Sequence, residues 1–206
     1  MDHSLSLPLS DSAVRELKVG DSVLLSGILV TGRDAAHKWL TDRFIHPMET
    51  ASPEEQRTLT ELRGLLAGGA IYHCGPVVAG LETKQYRFVA AGPTTSIREE
   101  PYQAEVMKLL GLKAVIGKGG MGAGTLKACG ELPAVYLHAI GGAASLIAKT
   151  VQEVLGVYKL EFGVPEAMWV IRVADFPAVV TMDSHGTSLH DGVRKHSATE
   201  LQRLLA

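Results

Sequence analysis

The sequence predicts an α/β fold: a single domain with a mixed sheet and helices packed on it. Three observations lead there. Short apolar runs alternate with helical segments between residues 70 and 155, the order expected of βαβ units and a partly parallel sheet. The last third carries strand-like runs without long helices between them. Aromatic residues make up only 5% of a chain that is 46% hydrophobic, so the core must be mostly Ala, Val, Leu and Ile, which suits closely packed layers.

Each element follows from local signals. Residues 1–19 are a short polar lead-in, and Gly20-Asp21 turns into a strand over 22–30 that is broken at Gly27. The turn 31–34 leads into a helical segment, 35–43, with Asp34 as N-cap. Residues 46–66 are polar, contain Pro47 and Pro53, and read as a loop or short helix. Strands follow at 70–74 and 86–91, the second closed by Gly92-Pro93. A helix runs to about Leu110 and stops at Gly111, as a C-terminal glycine predicts. Then come a short buried strand at 113–116, a glycine loop, and a helix at 125–132 ending before Pro133. The strand 134–140 precedes Gly141-Gly142, which open a small-residue helix to roughly Leu155. Residues 158–162, 168–173 and 178–182 read as strands, and a short helix at 198–205 lies in a C-terminal tail, 187–206. The whole, 1–206, is one domain.

Bulk properties exclude several classes. A formal charge of −2 argues against a nucleic-acid surface. No apolar run approaches the ~18 residues that span a bilayer. The stretch MDHSLSLPLS lacks the basic and apolar regions of a secretory signal. Cys74 and Cys129 offer neither a disulfide framework nor metal-site spacing, so they read as reduced and a cytoplasmic setting is the default expectation.

Three loops carry possible chemistry. In AVIGKGGMGAGTLK, Gly117, Gly119 and Gly122 satisfy G-x-G-x-x-G between a strand and a helix. A dinucleotide site also needs an acidic residue about 20 positions on, and the strand 134–140 ends in Gly-Gly instead. Nor does Ser or Thr follow Lys118 as a P-loop requires. What remains is a backbone anion site, including Gly119 and Gly120, with the charge of Lys118 beside it. Simple close packing of the glycines stands as the alternative. Arg33, in TGRDAAH, sits where a guanidinium can grip a carboxylate with two parallel hydrogen bonds. Alternatively it is a surface charge, with His37 and Asp34 pairing as a structural cap. In GPTTSIR, hydroxyl residues and Arg98 follow a strand, and Ser96 with Glu99 also fits a capping box. Arg33, Arg98 and Lys118 gathered at one pocket would suit a small dicarboxylate.

The segments GDSVLLSGILVTGRDAAHK, IYHCGPVV, AAGPTTSIREEPY, AVIGKGGMG, YLHAIGGAA and DFPAVVTMDSHG cover most of residues 20–186 in order. Together they resemble the iron–sulfur-dependent class I fumarases and L(+)-tartrate dehydratases, in the C-terminal domain or separate β subunit of those enzymes. The resemblance implies a swivelling β/β/α domain. It implies a hydro-lyase that reversibly adds water to the double bond of a small dicarboxylate, with fumarate to L-malate as the first reading. It implies a [4Fe-4S] cluster ligated by a partner α subunit and none bound by this chain alone, since Cys74 and Cys129 match no ligand position. An αβ or (αβ)2 assembly follows. Arg33, Arg98 and Lys118 would then bind substrate carboxylates with Gly119 and Gly120, and Thr94 would be the catalytic base. A threonine hydroxyl is a poor base unless nearby charge lowers its pKa, so Thr95 or Ser96 stay open for the role. His138 and His185 are lower alternatives. A tartrate-specific β subunit, or a non-catalytic dicarboxylate-binding module, are the competing functions.

Overall fold

A closed ring of five strands positions everything else. The computed structural model describes residues 1–205. Strand β1 (Asp2–Ser6) and helix α1 (Asp11–Glu16) precede the long β2 (Ser22–Thr31). Helix α2 (Asp34–Leu40) runs into a π-helical turn (Thr41–Ile45), and α3 (Pro53–Leu66) leads to β3 (Ala70–Tyr72). A hairpin of β4 (Val77–Ala79) and β5 (Arg87–Ala90) is followed by a 3₁₀ turn (Ser96–Glu99) and α4 (Glu100–Leu110). Then come β6 (Ala114–Gly117), α5 (Ala123–Glu131), β7 (Val135–His138) and the short α6 (Ala144–Ala148). Strand β8 (Val151–Tyr158), β9 (Met168–Met182) and α7 (Leu189–Leu205) complete the order.

The sheet runs β1-β2-β3-β6-β7-β9-β8, and β2 also pairs with β9, which closes β2, β3, β6, β7 and β9 into a barrel. Strands β2, β3, β6 and β7 are parallel, whereas β9 is antiparallel to β2, β7 and β8. Side chains alternate between two cores. Ala70, Tyr72, Ile116, Leu137 and Trp169 fill one, while Ile71, Val115, Tyr136 and Val170 join the helices through Leu40, Leu66, Met107 and Cys129 in the other. The central strands are thus buried on both faces. That is why they read in sequence as unbroken apolar runs rather than alternating patterns.

Several expectations need correction. The lead-in is structured: β1 pairs with β2 in register Asp2 to Ser22, and α1 buries Val14. Asp34 is not the N-cap of α2; Arg33 holds that position without a side-chain cap bond. The expected helix from Gly141 to about Leu155 shrinks to α6, and residues 151–158 form β8. Pairing with β9 overrides the helix propensity of Gln152, Glu153 and Leu155, while Val151, Val154 and Val157 pack against the barrel core. The two strands expected at 168–173 and 178–182 are one, and the strand expected at 158–162 is the end of β8 and a 3₁₀ turn at 160–162. Asp175, with φ of 52°, and a register shift let β9 bend and serve several neighbours. The 46–66 segment holds a 14-residue helix with a complete Ser52–Glu55 capping box, and α7 begins at Leu189, earlier than expected.

Candidate functional site

The segment after β5 threads between the carboxyl ends of β3 and β6. Thr94 donates its backbone N–H to the His73 carbonyl at 2.7 Å, and its own carbonyl accepts from Lys118 at 3.2 Å. Ser96 N–H then reaches the Lys118 carbonyl at 3.0 Å. This ladder lays Thr94, Thr95 and Ser96 directly against Lys118. The Thr94 hydroxyl donates to the His73 carbonyl at 3.3 Å. The loop follows a strand, as expected: β5 of the hairpin β4–β5, a two-stranded sheet separate from the main one, and it meets the barrel edge through this ladder.

Arg98 lies on the 3₁₀ turn, with Nη2 3.6 Å from Oδ2 of Asp34. Asp34 adjoins Arg33, whose Nη2 is 3.2 Å from Oε1 of Glu166, and a Cβ on Gly75 would collide with this guanidinium. Glu166 also accepts from Ala35 N–H at 3.2 Å, so it caps α2 while pairing with Arg33. Nε of Arg33 is buried without a partner. Lys118 passes Gly141, and among the described residues it has no carboxylate within 4.0 Å. The expected cations are therefore linked to one edge of the barrel, but two of the three arrive paired with carboxylates of the same chain.

Beneath this edge lies a buried polar chain. His37 Nδ1 is 2.9 Å from the Arg33 carbonyl. The Gln103 amide lies 3.1 Å from Nε2 of His37 and 2.8 Å from Nε2 of His73. His73 Nδ1 is 2.8 Å from Oγ of Ser96, which also accepts from the Tyr136 hydroxyl at 2.9 Å. Burial holds the pKa of both imidazoles below the ordinary value, and for His73 the neighbouring His37 adds to it. A Cβ on Gly117 would overlap Ser96 Oγ, so the glycine admits this cluster. Two sequence expectations fail here. His37 bonds to Arg33 and Gln103 rather than to Asp34, and Ser96 forms no capping box, because its hydroxyl is taken by His73 and Tyr136. Glu99 is fully buried, and burial followed by the nearby Asp34 raises its carboxyl pKa to about 8.

The glycine loop holds an anion at its helix end, but the anion is internal. Glu100 accepts from Gly122 N–H at 2.7 Å, Gly124 N–H at 2.9 Å, and both the N–H (3.2 Å) and hydroxyl (2.7 Å) of Thr125. A dinucleotide phosphate at the start of α5 would meet this carboxylate, which removes that reading. Gly119 and Gly120 have φ of 80° and 78°, a backbone that favours glycine, and Gly120 lies under the ring of His190. His138 ends β7 beside His190, with ring centroids 6.3 Å apart. His185 is elsewhere: its Nε2 contacts the Arg15 carbonyl at 2.9 Å. Sequence reasoning missed His73, Gln103, Glu99, Glu100 and Glu166. His73 stood in a quoted segment, yet nothing local marks a buried histidine, and the others act through contacts distant in sequence.

Residues 3–193 match the family model described as Fumarase C-terminus. The chain belongs to the fumarase C-terminus family. Within it, the chain is 51% identical over 200 residues to a Geobacillus stearothermophilus protein provisionally named fumarate hydratase class I. That match covers 97% of this chain but only 36% of the relative, so the chain spans about a third of that protein. It is 36% identical to the L(+)-tartrate dehydratase subunit beta of Escherichia coli K12, covering 92% of this chain and 87% of the relative. A Methanocaldococcus jannaschii protein provisionally named L(+)-tartrate dehydratase subunit beta is 38% identical, with 96% and 95% covered. No helix of the described residues is long and apolar enough to cross a membrane.

Proposed function

We propose that this chain is the β-type half of a hydro-lyase that reversibly adds water to the double bond of a small dicarboxylate, with fumarate to L-malate as the first reading. The relatives' names support the reaction class, and coverage of 87% and 95% of proteins named as β subunits supports an α partner. Two reduced, buried thiols fit a cytoplasmic setting.

The resemblance implies a [4Fe-4S] cluster, and the residues of this chain do not fit one. Cys74 and Cys129 are buried in different cores, and burial pushes both thiols up to about 12, far from the thiolate a cluster requires. Among the described residues no group of three or more His, Cys, Asp or Glu could hold a metal. Only the resemblance assigns a cluster to the partner subunit, and the roles of this chain's own residues are to bind and orient substrate and to hold its protons.

Removing a proton from the carbon beside a carboxylate builds negative charge on that carboxylate. Lys118 and Arg98 stabilise that charge, each such contact being worth about 3–4 kcal/mol when preorganised. Arg33, whose Nη2 is held by Glu166, orients the second carboxylate through its guanidinium. Thr94 serves as base, and the adjoining cations lower the cost of its alkoxide. The observation that carries this reading is the Thr94–Lys118 backbone bond of 3.2 Å, with Arg98 on the same segment reaching the Asp34 that follows Arg33.

Anaerobic co-expression with the α partner tests it, by comparing fumarate, malate, tartrate and methylmalate turnover in the brown complex. Malate dehydration is expected. Dominant tartrate turnover would favour the second reading, which the β-subunit relatives' names support. A loaded complex inactive on all of them would defeat the proposal.

A further inference from the structure

The hydrogen order of the buried chain from Arg33 to Ser96 is set by the Arg33 carbonyl at its start. His37, His73, Ser96, Gln103 and Tyr136 are all fully buried, out of contact with bulk solvent. A backbone carbonyl only accepts; Nδ1 of His37, 2.9 Å from the Arg33 carbonyl, must therefore carry a hydrogen. Burial keeps each imidazole neutral, with one hydrogen apiece. Nε2 of His37 is then an acceptor, and the Gln103 amide atom 3.1 Å away must donate. The structure has Oε1 at that position and leaves Nε2 of Gln103 buried without a partner; amide orientation follows the hydrogen-bond network, and reversing it puts the nitrogen between the two rings. Its second hydrogen goes to Nε2 of His73 at 2.8 Å. The hydrogen of His73 consequently sits on Nδ1 and points at Ser96 Oγ at 2.8 Å. With Oε1 kept between the rings, a lone pair of His37 faces a carbonyl and the Gln103 NH2 stays buried without partners. Leaving one Gln103 oxygen unpaired is the cheaper state.

We infer that Gln103 and His73 are positioning residues of this site: Gln103 donates to both imidazoles, and His73 donates to Ser96, whose hydroxyl also contacts that of Tyr136. Ser96 is fully buried and so is held away from substrate, whereas Thr94 and Thr95 are not buried and stay open for the base role. The chain also ties the Arg33 backbone to the segment bearing Arg98, fixing the two guanidinium-bearing loops relative to each other. The charged and titratable groups facing this chain are Asp34 and Arg33 at the start of α2 and Glu99 on the 3₁₀ turn beside Tyr136. The catalytic consequence rests on the hydro-lyase reading; the hydrogen order does not.

The test has two arms. Long-range proton–nitrogen spectra of the wild-type chain should show His37 and His73 as neutral Nδ1–H tautomers, unchanged from about pH 5.5 to about pH 8.5, where an ordinary histidine titrates. An Nε2–H tautomer, or titration of either ring in that range, overturns the inference. In the assembled enzyme, Gln103→Glu replaces the donor with a carboxylate that draws protons onto both imidazoles. Its kcat should fall at least about tenfold with a smaller change in KM, and its acid limb should move to higher pH. Gln103→Leu should lose kcat without moving that limb. An active wild type whose profile is unaltered by Gln103→Glu also overturns the inference. An inactive wild-type assembly would strike the hydro-lyase reading alone, and the spectra would still decide the hydrogen order.

Discussion

The carboxylate of Glu100 holds Thr125 twice, accepting from its hydroxyl at 2.7 Å and from its backbone N–H at 3.2 Å. With Gly122 and Gly124 also donating, one side chain from the segment carrying Arg98 closes the end of the glycine loop carrying Lys118. An acceptor at a helix N-terminus satisfies donors that otherwise lack partners, and its negative charge suits the helix dipole.

Glu100→Ala removes four hydrogen bonds, at about 0.5–1.5 kcal/mol each when partly compensated by water. We expect stability to fall by about 2–3 kcal/mol, read as a lower urea midpoint with an unchanged slope. A loss below about 0.5 kcal/mol would mean that water replaces the carboxylate without penalty.

Two glycines should respond oppositely to alanine. Gly64 is exposed within α3 and a Cβ there meets nothing within 4 Å, so Gly64→Ala should stabilise by about 0.5–1 kcal/mol. At Gly117 the new methyl would overlap Ser96 Oγ and crowd Nδ1 of His73, so Gly117→Ala should destabilise by about 1–3 kcal/mol or more. Thermal melts of the pair check the contrast; equal shifts would contradict the packing around Ser96.

In the assembled enzyme, Lys118→Ala and Arg98→Ala should each lower kcat/KM by about 10²–10³ while leaving the fold intact. Lys118 holds no ion pair among the described residues, and the Arg98–Asp34 pair is half exposed, so neither loss should unfold the chain. Arg33→Ala should lower stability as well, because it strands Glu166. Wild-type rates in the first two variants would remove them from the mechanism.

Stability should peak near pH 6.5. His37 and His73 have lowered folded pKa values, so the unfolded chain takes up protons first and stability falls as pH drops below the ordinary imidazole value of 6.5. Glu99 is raised from 4.5 to about 8, so the unfolded chain releases its proton first and stability falls as pH rises between those values. On the acid side the lowered histidines, His138 among them, outweigh one carboxyl; on the alkaline side the Glu99 decline dominates. Denaturant titrations across this range should show the decline on the alkaline side vanish in Glu99→Gln. Persistence of that slope in the variant would assign it to another group.

The sequence by itself determined the α/β class, most of the elements from Ser22 to Leu137, and the segments on which Arg33, Thr94, Arg98 and Lys118 stand. Glycine punctuation, caps and apolar runs are local signals, carried by neighbouring residues. Only the tertiary structure decided that 151–158 is a strand, because pairing with β9 outweighs a helical composition. It alone decided that the anion at α5 is Glu100, that Glu166 and Asp34 already attend the two arginines, and that Ser96 is bound by His73 and Tyr136. The physical reason is common to all of these. A hydrogen bond or ion pair depends on which groups burial brings within about 3 Å, and residues 22 to 133 positions apart in the chain carry no local trace of that meeting.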